Sequence, residues 1–71
     1  MKTEAEKQAH RDAIKNCDRD IPGAGLKERR DLIAQRAFEK LRLMAANDEI
    51  TDAEVLVRMT VISAHRDALK P

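Results

Sequence analysis

The chain has 71 residues, of which 42% are apolar and only Phe38 is aromatic, so it predicts one small domain with a core of aliphatic side chains. Its net charge of +1 indicates neither the basic surface of a strong nucleic-acid binder nor the acidic surface of a DNA mimic. The single cysteine, Cys17, and the lack of an apolar leader or membrane-spanning segment predict a cytoplasmic location and no membrane contact.

The first helix is predicted over residues 3–17. It begins at "TEAE", from Thr3 to Glu6, which matches a capping box, where a threonine hydroxyl accepts a hydrogen bond from the amide three residues on. Its apolar residues are few and mostly alanine, so it can cover only a narrow part of a neighbour. Proline and glycine in "DIPGAGL" then predict a loop over 18–24.

The second helix is predicted over residues 25–46, because Gly and Pro are missing from the segment after its first residue. One side is broadly apolar and includes Ile33, Ala37 and Leu41. The opposite side mixes leucine with basic residues, which is typical of protein interfaces. We predict it as the partner-binding surface, made of Arg29, Leu32, Arg36, Lys40 and Leu43.

The third helix is predicted over residues 51–69, after a break at "ANDE" and a second capping box at "TDAE". It carries two apolar rows on nearly opposite sides. The inner row contains Val55, Met59, Ile62 and Leu69. The outer row contains Val57, Val61, Ala64 and Ala68.

A single copy of this chain has too little apolar surface to cover both rows. We therefore predict an all-α fold of three helices, in which helices 2 and 3 form an antiparallel hairpin. Two hairpins would dimerise into a four-helix-bundle-like core, with the outer row as the dimer core. β-structure is not expected in any segment.

The heptapeptide "AHRDAIK" at residues 9–15 returns as "AHRDALK" at residues 64–70. Each copy places two alanines four residues apart on one helix face, which favours a packing role. The letters "HRD" also occur in protein kinases, but the glycine-rich loop and "DFG" that a kinase requires are missing from this sequence. His10, His65 and Cys17 lack the spacing of metal ligands, so no metal site is predicted.

Three further candidate sites are excluded, two by their spacing and one by its position in a helix. "DRDIPGAG" begins like a calcium-binding loop, but Arg29 stands where a bidentate glutamate is needed. "PGAGLK" lacks the spacing of a phosphate-binding loop, and Ser63, the only serine, lies in mid-helix among apolar residues. We therefore predict no catalytic residue, no cofactor and no enzymatic activity.

Two sets of basic residues leave alternatives open. Arg30 and Arg66 each fall within an apolar row, where either their stems pack beneath solvated guanidinium groups or they anchor a partner. The basic residues of helix 2, Arg29, Arg36 and Lys40, suggest a nucleic-acid-associated regulator as the alternative function.

Two short segments resemble known helical proteins. "EITDAEVLV" at residues 49–57 resembles part of the Hha/YmoA nucleoid-associated regulators, small helical proteins that bind H-NS, although this chain lacks that family's aromatic residues. "AGLKERRDLIA" at residues 24–34 resembles the theta subunit of bacterial DNA polymerase III, a helical protein that binds the proofreading exonuclease. Both resemblances imply helical adaptors that work by protein contact.

The function predicted from these patterns is a non-enzymatic helical interaction module. It would bind a second copy of itself and a larger folded protein, as an inhibitor or modulator of the kind that phages and mobile elements direct at host factors.

Overall fold

The computed structural model of the protein describes residues 3–68, which form three α-helices and no strand. The helices are α1 (Glu4–Asp20), α2 (Leu26–Ala46) and α3 (Asp52–Ala68), and a short 3-10 helix, Ile21–Gly23, lies between α1 and α2. The all-α prediction is therefore confirmed. Leu69, which was predicted to extend the inner row, lies outside the described residues.

Both predicted capping threonines begin their helices. Thr3 Oγ1 accepts a hydrogen bond from the amide of Glu6 at 3.2 Å, and Thr51 Oγ1 accepts one from the amide of Glu54 at 3.1 Å. Each bond pairs an amide that the first helical turn would otherwise leave without a partner. The starts of α1 and α3 are thus set by local sequence.

The predicted end of the first helix is wrong by three residues. Residues 18–20, predicted as loop, continue α1 to Asp20. Ile21 keeps helical dihedral angles, and its amide donates to the carbonyl of Cys17, so the helix runs directly into the 3-10 turn. Pro22 fits in the first turn of that element because the first amides of a helix need no acceptor within it.

At "ANDE" the chain leaves α2 in a left-handed turn. Asp48 has a φ of 61°, and its amide donates to the carbonyl of Ala45 at 3.0 Å. The amide of Glu49 donates to the carbonyl of Met44 at 2.9 Å, which completes a Schellman motif. The break predicted from Asn and Asp is confirmed, with Asp48 in a conformation that favours glycine.

The three helices lie side by side in one layer. α2 packs against both neighbours, whereas the described backbones of α1 and α3 make no close approach to each other. The Cα atoms extend over 40 × 25 × 11 Å, and three helices in a row at usual spacings span roughly 23 Å. A layer one helix thick has two open faces and two open edges, so it encloses little core.

The core of this layer is accordingly small. Among the described residues, the buried side chains are Cys17, Ala34, Leu41, Ala46 and Val55. Two of the five are alanines, which bury little area each. A domain of this size is marginally stable even with a closed core, so further burial in an assembly would add stability it lacks alone.

Two polar contacts join α1 to α2. His10 Nδ1 lies 2.7 Å from Glu39 Oε2, with both side chains largely buried. Nearer the end of α1, Arg36 Nε donates to the carboxylate of Asp18. α1 therefore covers the side of α2 that carries Arg36 and Glu39, and leaves the broadly apolar side to α3.

Candidate functional site

The outer row of α3 is exposed along its length. Val57 and Val61 are 64% and 63% exposed, and Ala64 and Ala68 are also exposed. Successive members are separated by four, three and four residues, which keeps them on one side of a helix. The prediction that one chain leaves this row uncovered is confirmed, whereas the dimer itself stays a prediction.

The inner row faces α2, as predicted. Val55 is buried, and Met59, Ile62 and Arg66 are partly buried on the same side of α3. Arg66 takes the place that an apolar residue would occupy in the next turn. α3 therefore has two apolar rows. The inner row packs against α2, and the outer row is exposed to solvent.

An apolar groove of about 290 Å³ runs between α2 and α3. Its surface is almost entirely apolar, and it is lined by Arg30, Ile33, Ala34, Ala37, Ile62, His65 and Arg66. The antiparallel hairpin brings Arg30 and Arg66 to this one groove although they are far apart in the sequence. The apolar pattern of either helix alone did not predict the groove, because the groove depends on how α2 and α3 face each other.

The groove and the outer row adjoin each other. Val61 and His65 are four residues apart on α3 and are therefore neighbours on its surface. Across the groove, Ile33 is half-exposed. An apolar surface thus passes from α2 over the groove to the open edge of α3, with basic groups beside it.

Arg66 is held in an unusual environment for a cation. Its side chain is 31% exposed, and its Nε is buried without a hydrogen-bond partner. Asp67 Oδ1 lies 3.7 Å from that nitrogen, beyond hydrogen-bonding distance. Arg66 is therefore partly buried within the inner row, and its Nε is out of contact with solvent.

The predicted partner-binding surface on α2 is not one open surface. Arg36 is bonded to Asp18 of α1, Leu32 lines a hollow with Ala13 and Cys17, and Leu43 on the same side is partly buried. Arg29 and Lys40 remain exposed. α1 therefore lies on the middle of this side, which the composition of helix 2 alone could not reveal.

The two copies of the repeated heptapeptide have different surroundings. The first contacts α2 through His10, whereas in the second Arg66 faces inward and His65 lies at the groove. Ala9, Ala64 and Ala68 are exposed in the single chain. The repeat therefore does not give both helices the same packing role within the chain.

The Cys17 thiol is buried, and its pKa is raised. Burial raises its pKa, the carboxylates of Asp18, Asp20 and Glu39 raise it further, and Arg36 opposes them. A thiol with a raised pKa stays protonated at neutral pH, and the thiolate is the reactive form. Cys17 is the buried residue of α1, which is the place of a small core residue.

An acidic hollow lies at the turn between α2 and α3. Its carboxylates are those of Glu6, Asp48, Glu49, Asp52 and Glu54. Within residues 3–68, no three His, Cys, Asp or Glu side chains are placed to share a metal ion. In the same range, no helix has the length and apolar character needed to cross a membrane.

Comparison of the chain with protein-family models, with curated proteins and with solved structures found no match. The two sequence resemblances therefore assign no family. The surfaces described above, the outer row and the groove between α2 and α3, are the features on which a function can be argued.

Proposed function

We propose that this chain is a non-enzymatic helical interaction module that forms a homodimer and docks on a larger folded protein. The observation that carries the proposal is the exposed outer row, in which Val57 and Val61 keep nearly two thirds of their surface in solvent. A contiguous apolar row on a small soluble chain is typical of an interaction surface. An inhibitor or modulator of a host protein is the role we propose for the docked dimer.

The energetics of burial support the dimer. Burying a valine side chain that was exposed is worth roughly 1.5–3 kcal/mol, and each protomer of a dimer would contribute two. Stabilities of whole domains are about 5–15 kcal/mol, and one with five buried side chains among residues 3–68 belongs near the lower end. Covering the outer row would therefore add a substantial share of the stability.

The groove supports docking on a second protein. Its aliphatic side chains suit an apolar anchor, and Arg66, whose side chain is 31% exposed, suits a carboxylate beside that anchor. An amphipathic helix that carries acidic residues next to its apolar face meets both requirements. The partner's docking segment in this proposal has that chemistry.

The proposal is tested with Val57→Asp, using Leu56→Asp as a matched control. Leu56 is 67% exposed on the same helix but lies off the outer row. We expect light scattering to give a dimer for the wild type and Leu56→Asp, and a monomer for Val57→Asp. A wild type that is monomeric at every concentration would remove the dimer from the proposal.

Docking on a larger protein needs a separate test. A partner isolated from the native host should bind the purified wild type, keep binding at high salt, and bind Ile33→Asp more weakly. Equal binding by Ile33→Asp, with its helical content unchanged, would exclude the groove as the docking site.

A nucleic-acid-associated regulator that uses Arg29, Arg36 and Lys40 is the alternative proposal. Arg29 and Lys40 are exposed, but Arg36 is engaged by Asp18, so this basic surface is weaker than the sequence suggested. This alternative predicts an affinity for DNA or RNA that falls steeply as the salt concentration rises. A gel-mobility shift of nucleic acid at low salt that is lost in the double variant Arg29→Ala/Lys40→Ala would favour the nucleic-acid-associated regulator over the docking module.

A further inference from the structure

We infer that the outer row of α3 is covered by the same row of a second copy that runs antiparallel to it, with Val57 against the partner's Ala68 and Val61 against the partner's Ala64. This inference rests on the dimer of the proposed function and specifies its orientation and register. Two independent properties of α3, the order of side-chain sizes and the distribution of charge, support it.

The first property is the order of sizes along the outer row. From the N-terminal end, the row reads valine, valine, alanine, alanine. A parallel pair would set valine on valine at one end and alanine on alanine at the other, so the helices would be held apart at one end and leave a gap at the other. An antiparallel pair sets one valine against one alanine in each of four layers, which gives even spacing and close packing.

The second property is the distribution of charge along the hairpin. The turn between α2 and α3 carries Asp48 and Glu49, and the first turn of α3 adds Asp52 and Glu54, of which Glu54 is paired with Arg58 at 3.7 Å. The other end of α3 carries His65 and Arg66, with Asp67 beside Arg66.

A parallel dimer would place the two acidic ends next to each other, and like charges brought together at an interface oppose association. An antiparallel dimer keeps the acidic ends at opposite ends of the interface, which avoids that repulsion. The helix dipoles of the two α3 helices are then also antiparallel, which is their favourable arrangement. Size and charge therefore select the same orientation.

The register can be tested by disulfide cross-linking. Native Cys17 is first replaced by alanine, and circular dichroism and light scattering establish that this background keeps the fold and oligomeric state of the wild type. Val57→Cys and Ala68→Cys are then made separately in that background, with one carrying a tag that changes its mass. The two proteins are incubated alone and mixed in a glutathione redox buffer.

We expect the mixed Val57→Cys and Ala68→Cys chains to give the main cross-linked product, and Val57→Cys alone to give none above background. In the antiparallel register the two copies of position 57 are separated by eleven residues, about 16 Å along the axis, whereas a disulfide joins Cα atoms about 4.4–6.8 Å apart. Leu56→Cys is the matched control, because it is equally exposed but off the row.

Each other outcome overturns the inference in a distinguishable way. A rapid disulfide between two Val57→Cys chains means that the dimer is parallel, and the proposed dimer then survives without this orientation. A dimer by light scattering that gives no mixed product means that another surface forms the interface. A monomer at every concentration removes the dimer itself, while docking of the monomer on a larger protein is still decided by the Ile33→Asp experiment.

Discussion

The Nδ1 atom of His10 on α1 lies 2.7 Å from Oε2 of Glu39 on α2. The two side chains are 25% and 20% exposed, so the contact is formed largely out of solvent. The second carboxylate oxygen of Glu39 accepts a hydrogen bond from Arg42 Nη1 at 2.7 Å, which holds Glu39 in place for His10. The pair joins α1 to α2 together with the contact between Asp18 and Arg36.

This contact should contribute measurably to stability. We expect His10→Gln to lower the free energy of unfolding by about 0.5–1.5 kcal/mol, the usual range for losing a partly buried hydrogen bond. His65→Gln is the matched control from the second copy of the heptapeptide, and because His65 is exposed, its effect should stay within about 0.5 kcal/mol. Urea titrations followed by circular dichroism measure both. Equal effects of the two substitutions would contradict a specific role for His10.

A second prediction concerns the turn after α2. Asp48 holds a φ of 61°, where a side chain with a Cβ is disfavoured and glycine is not. We expect Asp48→Gly to raise the free energy of unfolding by about 0.5–1 kcal/mol. Asp48→Ala retains a Cβ at the same φ and serves as the control, because it removes the carboxylate without relieving the conformation. If Asp48→Ala stabilises as much as Asp48→Gly, the effect comes from charge and not from the backbone.

The raised pKa of Cys17 predicts how stability changes at alkaline pH. In the unfolded chain the thiol has an unperturbed pKa of about 8.5. Because the pKa is raised in the folded chain, the folded chain keeps the thiol proton at pH values where the unfolded chain has lost it. The stabilisation is therefore complete below about pH 8.5 and is lost as pH rises through the raised pKa of the folded state.

Stability should consequently fall more steeply above pH 8.5 in the wild type than in Cys17→Ala. The sequence has no tyrosine, so phenol ionisation does not mask the effect. Iodoacetamide should also alkylate Cys17 more slowly in buffer than in concentrated urea. Parallel pH profiles for the two proteins would contradict the expected linkage.

The sequence predicted the helices well because their limits are set locally. Thr3, Thr51 and the Asn-Asp turn act through their own backbones, so a single segment contains the information. The extension of α1 to Asp20 was missed because Pro22 was interpreted as a helix end, whereas it begins a 3-10 turn that continues from the helix.

The sequence was less informative about which surface is free. The two sides of α2 were both recognised, but the sequence did not show that α1 lies on the side with Leu32 and Arg36, which was predicted to bind a partner. That choice depends on contacts between residues distant in sequence, such as Asp18 with Arg36, which periodicity does not encode. The exposed row of α3 was predictable because its two rows exceed any surface that α1 offers.

The final prediction separates the structural role of Arg66 from its binding role. Its Nε is buried without a hydrogen-bond partner, and leaving such a donor unpaired costs about 1–3 kcal/mol, less here because a third of the side chain is in solvent. Arg66→Met keeps a long apolar stem and removes the donor, so we expect a free energy of unfolding equal to that of the wild type or up to about 1 kcal/mol higher.

Arg66→Ala removes the stem as well and should be less stable than Arg66→Met, because the apolar contact with the inner row is lost. In the proposed function both variants should bind an acidic amphipathic partner more weakly than the wild type, since each lacks the guanidinium group at the groove. Thermal unfolding and titration with the partner are measured on the wild type, Arg66→Met and Arg66→Ala, so that the effects on stability and on binding can be compared. If Arg66→Met is destabilised as much as Arg66→Ala, the guanidinium group contributes to the fold, and any loss of binding cannot be assigned to the groove.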